Sequence, residues 1–226
     1  MGRIFLVRHG QADLFGADYD RLSDLGRRQA ERVGMALVAQ GVEPAVIASG
    51  ALVRQADTAR FLAQTAGWAA PVEIDADFDE YRHEDLFAAA FPEFADHAAV
   101  AAHVAKAPHP RAAFQHLFEQ AFARWLGGAT REGGLSWAGF RARALAATRR
   151  VASRCGRGES AVVVTSGGVI AAIAQALLGA PDAEVLKLHN PIYNGSISRL
   201  MTRGDTVALS GFNDVSHLRD ETLTYR

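Results

Sequence analysis

The chain has 226 residues, 49% of them apolar and 22% charged, the proportions of an ordinary globular protein. That length points to one domain, or one domain with a sizeable insertion, able to bury a core without a metal or disulfide staple. Lys and Arg (24) nearly balance Asp and Glu (25), for a net charge of −1, which argues against a whole-surface basic field for nucleic acid but allows a local cationic pocket. The single cysteine, Cys155, has no partner for an internal disulfide and favours a reducing compartment. Only four apolar residues separate Arg3 from Arg8, too few for a signal-peptide core. Leu6 stands where a myristoylation motif needs Ser or Thr. The richest apolar stretch, Val169 to Leu178, is about half the length needed to cross a bilayer. The expectation is a cytoplasmic protein with no membrane and no nucleic-acid partner.

Ile4-Phe5-Leu6-Val7 is too short an apolar run for a helix and predicts a buried strand, ending at Arg8-His9-Gly10. Ser23 can cap a helix reaching about Gln40, with Gly41 placed for a left-handed C-terminal turn. Val46-Ile47-Ala48 predicts a second strand, followed by a helix from about Arg54 towards Gly67. Val72-Glu73-Ile74 predicts a third. From Tyr81 to Gly134 the chain is rich in Ala and Phe at helical spacing, punctuated by Pro108 and Pro110, and reads as a helical insertion or cap. Ser136 can cap a helix to about Arg154. The strongest strand, Ala161 to Thr165, then runs into Ser166-Gly167-Gly168 and a helix ending near Gly179. Ile197 to Met201 and Val207 to Leu209 form a hairpin across Gly204-Asp205. Short buried strands alternating with helices predict an α/β three-layer sandwich, its largely parallel sheet carrying a possible antiparallel edge.

Ligands of open α/β sheets bind at the carboxyl ends of the strands. Three predicted strand ends here deliver Arg8-His9, then Ser49 leading to Arg54, then Ser166-Gly167-Gly168 at a helix start. A helix start offers free N–H groups and a favourable dipole to an anion, and arginine's planar fork bonds two oxygens at once. Each piece alone has an ordinary structural reading. Together, if the three strands are neighbours, they make a phosphate site.

The same residues resemble the histidine phosphatase superfamily, the phosphoglycerate mutase-like proteins. Leu6-Val7-Arg8-His9-Gly10-Gln11 is similar to the family's Arg-His-Gly signature. Leu22-Ser23-Asp24-Leu25-Gly26-Arg27-Arg28-Gln29-Ala30 resembles its first helix start, and Ser49 to Ala59, through Arg54 and Thr58, resembles its Ser-to-Thr-Ala segment with one extra residue between Ser and Arg. Phe78-Asp79-Glu80-Tyr81 falls where the family carries its acidic proton donor, and Val163 to Ile170 matches the late strand and turn. The resemblance spans roughly 3 to 80 and 135 to 200. It implies one such domain over 1–226, with 81–134 inserted in it. The departure is Ser166, where members usually place a second histidine. His83, His97, His103, His109, His116, His189 and His217 follow other patterns and read as structural or solvated.

The resemblance implies a phosphatase acting on a small phosphomonoester through a phosphohistidine on His9, with no metal and no cofactor. Arg8, Arg54, Ser166 and Gly167 would bind the phosphoryl group, and Glu80 would protonate the leaving alcohol. Asp77, Asp79, Glu84 and Asp85 compete for that acid role. A phosphomutase and a non-catalytic phospholigand-binding module stay open. The physiological substrate and the oligomeric state are not readable from these residues.

Overall fold

A computed structural model of the chain describes residues 1–13, 20–94, 97–204, 206–219 and 222–224. Six strands are described: β1 (Gly2–Arg8), β2 (Pro44–Ser49), β3 (Val72–Ile74), β4 (Ser160–Thr165), β5 (Ile197–Arg203) and β6 (Thr206–Asp214). They form one sheet in the order β3-β2-β4-β1-β5-β6. β3, β2, β4 and β1 are mutually parallel neighbours, and β5 runs antiparallel between β1 and β6. The hairpin strands thus lie at one edge and are longer than the sequence pattern predicts. Asp205 at its turn lies outside the described residues.

The helices are α1 (Asp24–Ala39), α2 (Val53–Ala66), α3 (His83–Ala90), α4 (His97–Val104), α5 (Pro110–Leu126), α6 (Trp137–Ser153), α7 (Gly167–Leu178) and α8 (Val185–His189). Local chemistry sets most of their ends. Ser23 Oγ accepts from Gly26 N–H (3.0 Å) at the start of α1, and Ser136 Oγ accepts from Gly139 N–H (3.1 Å) at the start of α6. Gly41 after α1, Gly67 after α2 and Gly179 after α7 have φ of 69°, 69° and 64°, the left-handed region glycine enters without a Cβ clash. The 3-10 turn Ala76–Phe78 and α8 are too short to leave a periodic signal in the sequence.

Alternation along the strands makes the layers. In β1, Phe5 and Val7 join Val33, Leu37 and Leu62 of α1 and α2 on one face. Ile4 and Leu6 point the other way, into a larger cluster with Trp137 and Phe140 of α6 and Ile170 and Ile173 of α7. β2 and β4 divide their side chains in the same manner. Helices α3 and α5 add Phe87, Phe118, Phe122 and Trp125 to that second cluster. The result is an α/β sandwich with the sheet as its middle layer. No described helix is long and apolar enough to cross a membrane.

Candidate active site

Placing β4 between β1 and β2 brings three carboxyl ends together, with Arg8 beside Thr165 and Ser49 beside Val164. His9 follows β1 directly and is 6% exposed. Its N–H donates to Thr165 O (2.8 Å), and its carbonyl accepts from Asn194 Nδ2 (3.2 Å). The backbone at His9 is therefore tied on both sides.

The imidazole is oriented by the next residue. Its Nδ1 lies 2.7 Å from Gly10 O. A carbonyl can only accept, so Nδ1 carries the proton and Nε2 keeps its lone pair. Arg54 Nε donates to that lone pair at 3.2 Å. Burial, and then the charges of Arg54 and Arg8, hold the ring's pKa well below 6.5, against a smaller opposing effect of the Gly10 hydrogen bond. The His9 ring is thus held towards its neutral form, with Nε2 accepting from a guanidinium.

The turn after His9 lies directly on the first turn of α1. A Cβ on Gly10 would sit 2.2 Å from Gly26 O, and one on Gly26 would sit 2.1 Å from Gln11 O, so both positions require glycine. Gly10 N–H donates to Thr58 Oγ1 (3.0 Å) and Gln11 N–H to Gln29 Oε1 (2.8 Å), which satisfies the two turn amides from α2 and α1. Residues 14–19 lie outside the described residues.

Arg54 is 11% exposed at its side chain and pairs through Nη1 with Asp20 Oδ1 at 2.6 Å. The other oxygen of Asp20 accepts from Val53 N–H (2.7 Å). Leu52, at the N-cap position of α2, has no side chain able to cap, and Asp20 supplies that acceptor from elsewhere in the chain. Arg8 donates to Ile192 O, and a Cβ on Gly167 would be 3.5 Å from Arg8 Nε, so Arg8 lies against the start of α7. Ser166, at the N-cap position of α7, is 1% exposed, and its Oγ accepts from Gln55 Nε2 (2.8 Å).

Glu80 reaches the same helix start, its Oε2 accepting from Gly168 N–H at 2.9 Å. Desolvation pushes its pKa up, outweighing the Gly168 bond and the nearby Arg54 and Arg8 charges. Desolvation raises Asp79 as well, whose Oδ1 accepts from Ala51 N–H (2.5 Å). The other acidic candidates lie elsewhere. Asp77 pairs with Arg150 (2.7 Å), Asp85 pairs with Arg131 (2.6 Å), and Glu84 is exposed.

The geometry therefore gathers His9, Arg8, Arg54, Ser166, Gly167 and Glu80 around one helix N-terminus. His189 instead stacks near Phe118 and meets Tyr81 Oη (3.3 Å), and His217 meets Gly195 O (2.9 Å). Among the described residues no group of three His, Cys, Asp or Glu is arranged to hold a metal ion. Sequence reasoning assigned no role to Asp20, Gln29, Gln55, Thr58 or Asn194. Gln29 and Thr58 lay inside the recognised segments, but the backbone amides they serve become visible only once the turn is folded.

A family model described as Histidine phosphatase superfamily (branch 1) matches residues 4–215. No curated protein matches. Among solved structures, YhfR of Bacillus stearothermophilus is similar at 22% identity and a TM-score of 0.69, over 96% of this chain and 99% of that one. A mycobacterial glucosyl-3-phosphoglycerate phosphatase with inorganic phosphate is 26% identical, with a TM-score of 0.64 over 96% and 99% of the two chains. A phosphoserine phosphatase of Entamoeba histolytica, in complex with phosphoserine, is 17% identical, with a TM-score of 0.65 over 97% and 100%.

Proposed function

Because this chain belongs to the histidine phosphatase superfamily, we propose that it hydrolyses a small phosphomonoester through a phosphohistidine on His9. The observation that carries this reading is the locked, neutral imidazole, with Nδ1–H on Gly10 O and Nε2 open towards Arg54. The solved phosphatases of the same fold support it.

In the first step the Nε2 lone pair attacks phosphorus, the P–N bond forms and the bond to the leaving oxygen breaks. Arg54 turns its Nε–H from the imidazole to a phosphoryl oxygen as charge builds there, while Arg8 and the first amides of α7 take the others. Glu80 gives its proton to the departing alkoxide. In the second step Glu80, now a carboxylate, takes a proton from water as that water attacks phosphorus and the P–N bond breaks. Burial moves the two pKa values towards each other, the imidazole down and the carboxyl up, which favours neutral His9 together with protonated Glu80. A cavity of about 260 Å³ borders Glu80, lined by Tyr81, Trp125, Leu135 and Arg143 among others, and His9, Arg8, Arg54 and Ser166 are not part of its lining. The buried free thiol of Cys155 fits a cytoplasmic setting.

The test is brief mixing with labelled substrate and an alkaline quench. An acid-labile label on the wild type, absent from His9→Ala, is expected, with turnover of an activated aryl phosphate falling about 10³-fold or more, equivalent to about 4 kcal/mol of transition-state stabilisation. Phosphate binding without His9-dependent turnover would instead identify a phospholigand-binding module.

A further inference from the structure

We infer that Gln55 is a positioning residue that turns the Ser166 hydroxyl into a hydrogen-bond donor for the phosphoryl group, an inference resting on the phosphate-site reading above. Gln55 follows Arg54 on α2 and is fully buried. Its Nε2 lies 3.2 Å from Phe78 O and 2.8 Å from Ser166 Oγ. The two ends of a side-chain amide have nearly the same shape, but a backbone carbonyl only accepts, so the nitrogen must face Phe78 O. Its two hydrogens are then both committed, one to Phe78 O and one to Ser166 Oγ. Ser166 Oγ is the acceptor in that contact, and its own hydrogen must point elsewhere. No described residue accepts that hydrogen, although Ser166 is 1% exposed. Gln55 Oε1 is also buried, with no partner among the described residues. An amide that leaves its own oxygen unsatisfied is poorly explained by stability alone. It is well explained by the group it orients, which sits at the start of α7 next to Gly167 and Arg8, where an anion oxygen accepts.

The experiment measures inorganic phosphate affinity by calorimetry, kcat/KM with an aryl phosphate, and thermal stability. The proteins are the wild type, Ser166→Ala, Gln55→Met, the double variant and Gln55→Glu. Gln55→Met keeps the length of the side chain, and Phe78 O keeps the hydroxyl of Thr165 at 2.6 Å as a partner. Ser166→Ala and Gln55→Met are each expected to weaken phosphate binding about 5- to 10-fold. The double variant should be no weaker than either single one, because both remove the same donor. Gln55→Glu, close to isosteric, places an acceptor where the amide donated. It captures the Ser166 hydrogen and repels the ligand, so affinity should fall about 30-fold or more at pH 8 and recover as the new carboxyl protonates at lower pH. Additive losses, an unchanged Ser166→Ala, or a Gln55→Glu loss without pH dependence would overturn the inference. So would lowered thermal stability with unchanged phosphate affinity. If the wild type binds phosphate but turns over nothing, the phosphatase reading falls while the affinity measurements still decide the role of Gln55. If the wild type binds no phosphate, both fall.

Discussion

The carboxyl ends of β1, β2 and β4 and the aromatic flank beneath α5 and α6 are both buried, yet they are built on opposite terms. At the flank, Phe122, Trp125 and Trp137 meet with ring centroids 5.1–5.5 Å apart. The ring N–H groups find partners at its margin, Trp137 on Gln175 Oε1 (2.9 Å) and Trp125 on Leu135 O (2.8 Å). At the strand ends, by contrast, polar groups are held by individual hydrogen bonds: the His9 ring between Gly10 O and Arg54 Nε, Gly10 N–H by Thr58, Gln11 N–H by Gln29. There, burial shifts pKa values and leaves the Ser166 hydrogen and Gln55 Oε1 without partners among the described residues. The flank's buried area stabilises the fold, whereas the strand ends keep titratable groups desolvated at stability's expense.

Separating activity from stability tests that contrast. The largest effect on folding belongs to Phe122→Ala, expected to lose about 3–5 kcal/mol by denaturant unfolding while the folded fraction keeps its turnover. An equal loss in turnover per folded molecule would tie the flank to the site. Arg54→Lys tests the other region and should lower kcat/KM about 10- to 100-fold with little change in unfolding, because lysine lacks the fork that reaches both His9 and Asp20.

Titration separates the regions further. With an alkyl phosphate, kcat/KM should fall on the acid side, below the ordinary histidine range, as His9 protonates, and on the alkaline side as Glu80 ionises. Glu80→Gln should cut the alkyl phosphate far more than an activated aryl phosphate, and equal losses would move the acid role to Asp79. The same shifts act on stability. The folded-state pKa of His9 is lowered, so its contribution is present above about pH 6.5 and is lost as pH falls through the folded value. The folded-state pKa of Glu80 is raised, so the native state loses stability as pH rises above about 4.5 and through the folded value. Glu80→Gln should therefore melt higher than wild type at neutral pH, measured by calorimetry. The smallest effect is expected at the exposed cap of α6, where Ser136→Ala should lose about 1 kcal/mol and leave kcat/KM unchanged.

Elements whose causes are local could be read from the amino-acid order. Ser23 and Ser136 start α1 and α6 through bonds within one turn, Gly67 and Gly179 end α2 and α7 through their own φ, and the short unbroken apolar runs of β1 and β4 mark buried strands. His9, Arg8, Arg54 and Ser166 stood out for the same reason, since each follows a strand or starts a helix. Their convergence depended on β4 lying between β1 and β2, a pairing of strands more than 100 residues apart that no local pattern encodes. The roles of Asp20 and Gln55 belong to that second kind. A carboxylate that caps α2 from 33 residues away, and an amide that meets a hydroxyl 111 residues further on, acquire their partners only when the sheet closes. Glu80 could be singled out by resemblance among the five carboxylates of one short stretch, Asp77, Asp79, Glu80, Glu84 and Asp85, but its bond from the Gly168 N–H, 88 residues further on, exists only once α7 approaches.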